Sequence, residues 1–173
     1  LKLDHLLFIG SNRVAKKVAA QAAKNLVPTT LELGGKSPTI IGTNANMALA
    51  AERILFSKTL NAGQICLSPD YIFVKKDEKR NLISELQKAY SKFFPEPNSH
   101  NQTSMVNKHH LKRMNSYLLD ATKKGATVKS LGKNDDLNRN MLSTKIVTEV
   151  NDGMDVMKHE IFGPVLPIMT YDS

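Results

Sequence analysis

Short apolar runs alternate along this chain with longer segments in which apolar residues recur every three or four positions. Leu6-Leu7-Phe8-Ile9 is the first run, closed by Gly10-Ser11. It reads as a buried strand of the kind found in parallel sheets. Ser11 or Asn12 is placed to cap a helix running to about Asn25, with Val14, Val18 and Ala22 on one face. Pro28 closes the connection, and Thr29–Leu33 is a second strand, so the first 33 residues form a β-α-β unit.

The alternation continues. Thr39-Ile40-Ile41 is a short strand, and Asn44 or Asn46 starts a helix through about Leu60 with Met47, Ala50, Ile54 and Leu55 inward. Tyr71–Lys75 is rich in large and β-branched residues and reads as a strand. Asp77 is expected to cap a helix with Leu82, Leu86, Ala89 and Phe93 inward, stopped by Pro95-Glu96-Pro97. A polar surface loop from Pro95 to about Thr103 follows. The next helix, Lys108 to Lys124, turns Leu111, Met114, Leu118 and Leu119 inward and ends at Gly125, a C′ glycine. Strands are expected at Ala126–Ser130, Ile146–Val150 and Val165–Met169, with a helical turn around Val156-Met157-Lys158. Pro167 places the last strand at an edge or distorts it. The fold class is α/β, a mostly parallel sheet flanked by helices.

With 173 residues, 41% of them hydrophobic, the chain can bury a core. No run of about 18 apolar residues marks a spanning helix, and no secretory leader is read in the N-terminal stretch. The net charge of +8 comes from 24 basic and 16 acidic residues. The basic residues are scattered, there is no Trp, and basic and aromatic residues do not interleave, so a solvated surface is the reading and nucleic acid is not an expected partner. One cysteine excludes an internal disulfide framework and fits a reducing compartment. Asn101-Gln102-Thr103 is a sequon by chance on this reading.

The one cysteine, Cys66, lies in Asn61-Ala62-Gly63-Gln64-Ile65-Cys66-Leu67-Ser68-Pro69-Asp70-Tyr71. Gly63 and Pro69 flank it at three residues, so the backbone is a shaped loop. A lone cysteine is as often a small buried hydrophobe as a nucleophile. Glu32 at the end of its strand is a solvated carboxylate or a general base. Glu160 and Phe162 are a turn carboxylate and a core ring, or contacts for a ligand. His109 and His110 point apart on a helix, and no His-Glu-x-x-His pattern or cysteine pair exists, so no metal site is expected. A dyad of His159 with Cys66 is the weakest of the readings.

Three motifs follow one another: Glu32-Leu33-Gly34-Gly35-Lys36, the Cys66 loop, and Glu160-Ile161-Phe162-Gly163-Pro164. In order and interval they resemble the aldehyde dehydrogenase superfamily, over nearly the whole chain. Gly35-Lys36-Ser37-Pro38 and Cys66–Tyr71 are most similar to its class 3, fatty-aldehyde branch, of fungal type. The resemblance implies that 1–33 is the C-terminal β-α-β of a cofactor-binding domain and 34–173 an incomplete catalytic domain. It implies NAD or NADP as cofactor and oxidation of an aldehyde substrate, medium- or long-chain aliphatic, to the acid. Cys66 matches the nucleophile, with its own N–H facing the oxyanion, and Glu32 matches the base, the two opening into a common cleft. Gly10, Ser11, Leu33, Gly34, Glu160 and Phe162 match cofactor contacts.

Two departures stand out. Ala15 replaces the usual second glycine after Gly10, and Ser143-Thr144 replaces Pro-Thr, which is expected to loosen that turn. The family's second oxyanion donor, an asparagine, falls upstream of this stretch. The full-length protein is expected to be a homodimer, in the cytoplasm or on the cytosolic face of an intracellular membrane, with any membrane association through a region outside this chain. Alone, the 173 residues are expected to turn over little or nothing. If they are the entire natural protein, the alternative is a non-catalytic remnant that binds a partner or scaffolds.

Overall fold

The structure, a computed structural model, describes residues 2–95, 102–133 and 135–172. Most of the loop expected after Pro95, including Asn101 of the sequon, lies outside the described residues. The chain divides into two compact units, Leu1–Gly35 and Lys36–Ser173.

The first unit is β1 (Leu6–Gly10), α1 (Asn12–Ala23) and β2 (Thr29–Leu33). The strands pair in parallel, Leu6 opposite Thr29 and Gly10 opposite Leu33. Successive side chains alternate between faces. Leu6, Phe8, Leu31 and Leu33 are half-buried, whereas Leu7 and Ile9 are 61% and 72% exposed within this chain. The expectation of a buried strand therefore fails on one face, because a single helix covers only one side of a two-stranded sheet. The inward stripe of α1 is Ala15 and Ala22, not Val14, which is exposed. Small side chains let the helix lie close to the sheet, and the stripe turns by one residue to use them.

The second unit is built on a five-stranded sheet. Its elements are β3 (Pro38–Ile40), α2 (Met47–Thr59), β4 (Tyr71–Lys75), α3 (Lys79–Phe93), α4 (Lys108–Lys123), β5 (Thr127–Ser130), β6 (Lys145–Thr148), α5 (Asp155–Lys158) and β7 (Val165–Tyr171). The order across the sheet is β3-β4-β7-β6-β5, all parallel except β5 against β6. On one face Ile72, Val74, Ile146, Leu166 and Ile168 pack with Ile54 and Leu55 of α2 and Leu82 and Leu86 of α3. On the other, Val147 and Val165 pack with Leu111, Met114, Tyr117 and Ala121 of α4 and Val156 of α5. Helices thus cover both faces.

Asn46 caps α2 by accepting the Leu49 N–H at 3.1 Å, and Asn107 caps α4 from His110 at 3.0 Å. Asp77 caps nothing as a helix start: it sits in a 3-10 turn over Lys76–Glu78, and α3 begins after it. On α4 Leu111 and Met114 face inward as expected, joined by Tyr117 and Ala121, while Leu119 is 62% exposed. Strand β7 is central, contrary to the reading of Pro167. Proline fits there because the ladder to β6 ends at Pro167 and the ladder to β4 starts at Ile168. Ser143 does not loosen its turn. It is fully buried, and its N–H donates to the Asp135 carboxylate at 2.7 Å, a bond proline could not make.

Candidate active site

Strands β3, β4 and β7 are neighbours and parallel, so their amino ends lie side by side. Gly35-Lys36-Ser37 runs into β3, the Cys66 loop into β4, and the Glu160–Pro164 turn into β7. Topology alone therefore gathers the second and third motifs, with the Lys36 end of the first, at one edge of the second unit. The open α/β sheet more often places its site at carboxyl ends. A cavity of about 350 Å³ does lie there, between Gly42, Asn46, Val74 and Asn81, but none of the three motifs lines it.

The Cys66 loop starts as a left-handed turn. Asn61, Ala62 and Gly63 have φ of 49°, 55° and 70°. Such backbone costs about 1–2 kcal/mol per non-glycine residue and persists only where its surroundings impose it. Gln64 does the imposing from inside the loop. Its buried amide donates to Asn61 O (2.9 Å) and Ser104 O (3.2 Å) and accepts the Val106 N–H (2.9 Å). The Ser68 N–H then donates to Ile65 O at 3.0 Å, so Cys66 and Leu67 occupy the two corners of a turn. Both are exposed, Leu67 at 84%. Cys66 is thus not a buried hydrophobe in this unit.

The Glu160–Pro164 turn is fastened from outside. Arg113 of α4 donates to the carbonyls of Glu160, Ile161 and Phe162 at 3.4, 2.6 and 3.3 Å. Asp70 accepts the Ile161 N–H at 2.9 Å. Phe162 has φ 47° and is half-buried, and Glu160 is half-buried beside it. Loop and turn meet backbone to backbone. A Cβ on Gly63 would lie 2.6 Å from Gly163 O, and a Cβ on Gly163 would lie 2.3 Å from Met114 Sδ. Only glycine permits these approaches.

Beneath them lies a charged group that motif reading overlooked. The Lys36 ammonium is ion-paired with Asp70 and also donates to Val156 O (2.8 Å) and His159 O (3.1 Å). Lys58 is completely buried and donates to Pro69 O at 2.9 Å. Burial pushes its pKa from 10.5 down to about 8, with Lys36 pushing the same way and Asp70 and Glu160 opposing. A displacement of that size corresponds to about 3 kcal/mol against the buried charge near neutral pH. One signal was present in the sequence: Lys58 continues the Met47, Ala51, Ile54, Leu55 stripe of α2, where an apolar residue belongs. Arg113 gave none, since the carbonyls it holds lie more than forty residues away.

Glu32 and its neighbours belong to the first unit. Glu32 is exposed near the end of β2, opposite Ile9, with Leu33 half-buried and Gly34 exposed after it. At the start of α1 the Ser11 carbonyl accepts the Val14 and Ala15 N–H groups. The earliest N–H groups of a helix have no such partner, and the first turn here carries no acidic residue, which suits an anionic phosphate. The absent side chain of Gly10 makes room for the Phe8 ring, 2.7 Å from where a Cβ would be. Ala15 is buried, which accounts for a small residue at that position. These residues fit a nucleotide at the helix end. Among the described residues no cluster of three His, Cys, Asp or Glu side chains is arranged to hold a metal ion, and no helix is long and apolar enough to cross a membrane.

Comparison with known proteins places this geometry. The family model described as "Aldehyde dehydrogenase family" matches residues 2–173. A relative from Caulobacter vibrioides named "Probable coniferyl aldehyde dehydrogenase" is 44% identical over all of this chain and 37% of its own. Mouse "Aldehyde dehydrogenase family 3 member B3" is 35% identical over 99% of this chain and 35% of its own. The chain thus spans little more than a third of these relatives. Among solved structures, the substrate-bound state of Staphylococcus aureus AldH superposes with a TM-score of 0.90 at 39% identity, over 100% of this chain and 37% of the other. Betaine aldehyde dehydrogenase from Staphylococcus aureus, in complex with NAD+, gives 0.87 at 25% identity over 99% and 35%. With the family model matching essentially end to end and relatives above 30% identity along the whole of it, the chain belongs to the aldehyde dehydrogenase family.

Proposed function

We propose that this chain is the part of an NAD- or NADP-dependent enzyme that oxidises an aldehyde to the carboxylic acid, with Cys66 as nucleophile and Glu32 as general base. The observation that carries the reading is the setting of Cys66. It stands exposed at the corner of a turn whose flanks are fixed by buried polar anchors, in a chain of this family. On this reading the first unit belongs to the cofactor-binding domain and the second to the catalytic domain.

The chemistry follows from the residue types. The Cys66 thiolate adds to the carbonyl carbon, and the carbonyl oxygen becomes an oxyanion that the Cys66 N–H is suited to hold. Nicotinamide, when bound, supplies the two-electron acceptor that the step from thiohemiacetal to thioester requires. Glu32 then takes a proton from water as the water oxygen bonds to the thioester carbon. The C–S bond breaks, the acid leaves and the thiolate returns. Gly10, Ser11, Leu33, Gly34, Glu160 and Phe162 are the residues that would hold the cofactor.

For substrate, the apolar Leu67 exposed beside Cys66 favours an apolar aldehyde, and the class 3 likeness favours a medium- or long-chain aliphatic one. An aryl aldehyde is the second reading, because the 44% identical relative is named for coniferyl aldehyde. The test follows reduced cofactor by absorbance in the natural full-length protein, with decanal and coniferyl aldehyde side by side. Cys66→Ala is expected to remove turnover by about a thousandfold or more. Glu32→Gln is expected to leave a burst of about one equivalent per site followed by slow release, as deacylation becomes limiting. Wild-type turnover by Cys66→Ala would end the reading.

A further inference from the structure

Nothing in the chemistry just described uses Lys58, yet among the described residues it is the most completely buried charged side chain of the second unit. It lies on the inward stripe of α2, one turn before the Cys66 loop, and reaches across to the loop's other end at Pro69, eleven residues on. One side chain thus closes the loop at its base. Its backbone also takes part, since a Cβ on Gly63 would lie 3.1 Å from Lys58 O.

The charges around the ammonium come from every element at this edge. Asp70 leads into β4, Lys36 into β3 and Glu160 into β7, and all three act on Lys58 electrostatically. Asp70 in turn grips Lys36 and the Ile161 N–H. The ammonium therefore sits under both the cysteine loop and the Glu160–Pro164 turn, where their anchors converge.

Packing does not explain a cation there. A methionine has nearly the same length and volume and would carry no desolvation cost. Methionine would give up the desolvation cost of the cation and lose one hydrogen bond, to Pro69 O, a balance near neutral or stabilising provided the neighbouring carboxylate keeps its own bonds. Asp70 does keep them, through Lys36 and Ile161. A charge retained against stability at a reactive edge is the pattern expected of a functional constraint.

We propose that Lys58 is a positioning residue for Cys66: its buried ammonium, closed on Pro69 and set among Asp70, Lys36 and Glu160, holds the cysteine loop in register with the Glu160–Pro164 turn. The proposal rests on the aldehyde-oxidation reading for its kinetic consequence, but not for its structural one.

The test uses Lys58→Met and Lys58→Arg in the natural full-length protein. Three quantities are measured: Tm, aldehyde kinetics, and the rate of Cys66 alkylation by iodoacetamide. For Lys58→Met we expect Tm at pH 7 to be unchanged or higher, kcat to fall at least tenfold, and KM for aldehyde to move less than threefold. Alkylation should slow at least threefold, and Lys58→Arg should recover part of both rates. The Tm advantage of Lys58→Met should also shrink as pH rises from about 8 toward 10.5. Folded wild type loses its buried charge over that range while the unfolded chain still holds the proton, so wild-type stability rises. A fall in Tm matching the fall in rate would make Lys58 merely structural and overturn the proposal, as would unchanged kcat and alkylation. If wild type oxidises no aldehyde, the functional reading fails, and the alkylation and Tm arms still decide the role of Lys58.

Discussion

The Cys66 loop and the Glu160–Pro164 turn are two irregular segments that lean on one another, and they are held in opposite ways. Each contains left-handed non-glycine residues, Asn61 and Ala62 in one and Phe162 in the other. The loop is held in good part by near neighbours: Asn61 bonds Gln64, Gln64 bonds Asn61, and Lys58 closes the base, with Gln64 adding two distant bonds to Ser104 and Val106. The turn holds itself hardly at all. Its carbonyls go to Arg113 and its Ile161 N–H to Asp70, 91 residues away. A segment with local anchors keeps much of its shape wherever its sequence goes. A segment with remote anchors has a shape only inside the finished fold.

The largest effect is expected where the two touch. Gly63→Ala must place a methyl 2.6 Å from Gly163 O while holding φ near 70°. Backbone oxygen cannot swing aside as a side chain can. The left-handed penalty and the overpacking together come to about 2–5 kcal/mol. Urea unfolding should show a loss in that range, with activity falling further because the loop and the turn are forced apart. A stable, active Gly63→Ala protein would mean that the loop and the turn are independent.

Arg113→Met is expected to be next in size and to separate the two regions. The guanidinium satisfies three carbonyls, and a methionine satisfies none. Charge-assisted bonds contribute about 1.5–3 kcal/mol each when cleanly removed, so a total loss near 2–4 kcal/mol is reasonable once water replaces part of them. The kinetic mark should be selective: KM for the nicotinamide cofactor rises about tenfold or more, while Cys66 alkylation stays within about twofold of wild type. Arg113→Lys should recover little, because a point charge cannot fork across three acceptors. Equal damage to alkylation would show that the remote anchors also hold the loop.

The same contrast accounts for what the amino-acid pattern revealed. The strands and helices of the second unit follow from period and caps, and Asn46, one of the two starts read for α2, does cap it. The Cys66 loop announced itself through Gly63 and Pro69, whose signal is local, while the bonds from Gln64 to Ser104 and Val106 could not be read. Arg113 and Asp70 could not be assigned, since hydrogen bonds spanning 47 to 91 residues leave no local trace. Leu119 and Val14 were misplaced because one residue of helix rotation is about 100°, and the buried stripe is chosen by what packs opposite. Pro167 misled for a related reason. Proline cannot donate to a ladder, but that does not bar it from a central strand, and the exchange of partners at Ile168 leaves it a place.

The smallest expected effect tests whether local anchoring is redundant. Asn61 tolerates φ 49° better than most residues, and its Nδ2 donates to Gln64 O at 3.2 Å. Asn61→Gly removes the bond but relaxes the backbone, so the two changes oppose and stability should stay within about 0.5 kcal/mol of wild type. Asn61→Ala removes the bond and keeps the strain, and should cost about 1–2 kcal/mol. Both should retain aldehyde turnover within about threefold, because Gln64 and Lys58 still hold the loop on either side of Cys66. Thermal unfolding and kcat on the pair of variants decide the matter. If Asn61→Ala proves more damaging than Arg113→Met, the loop has no spare anchors, and proximity in sequence confers legibility without robustness. If it proves milder, as expected, the loop tolerates loss of a single contact where the turn does not.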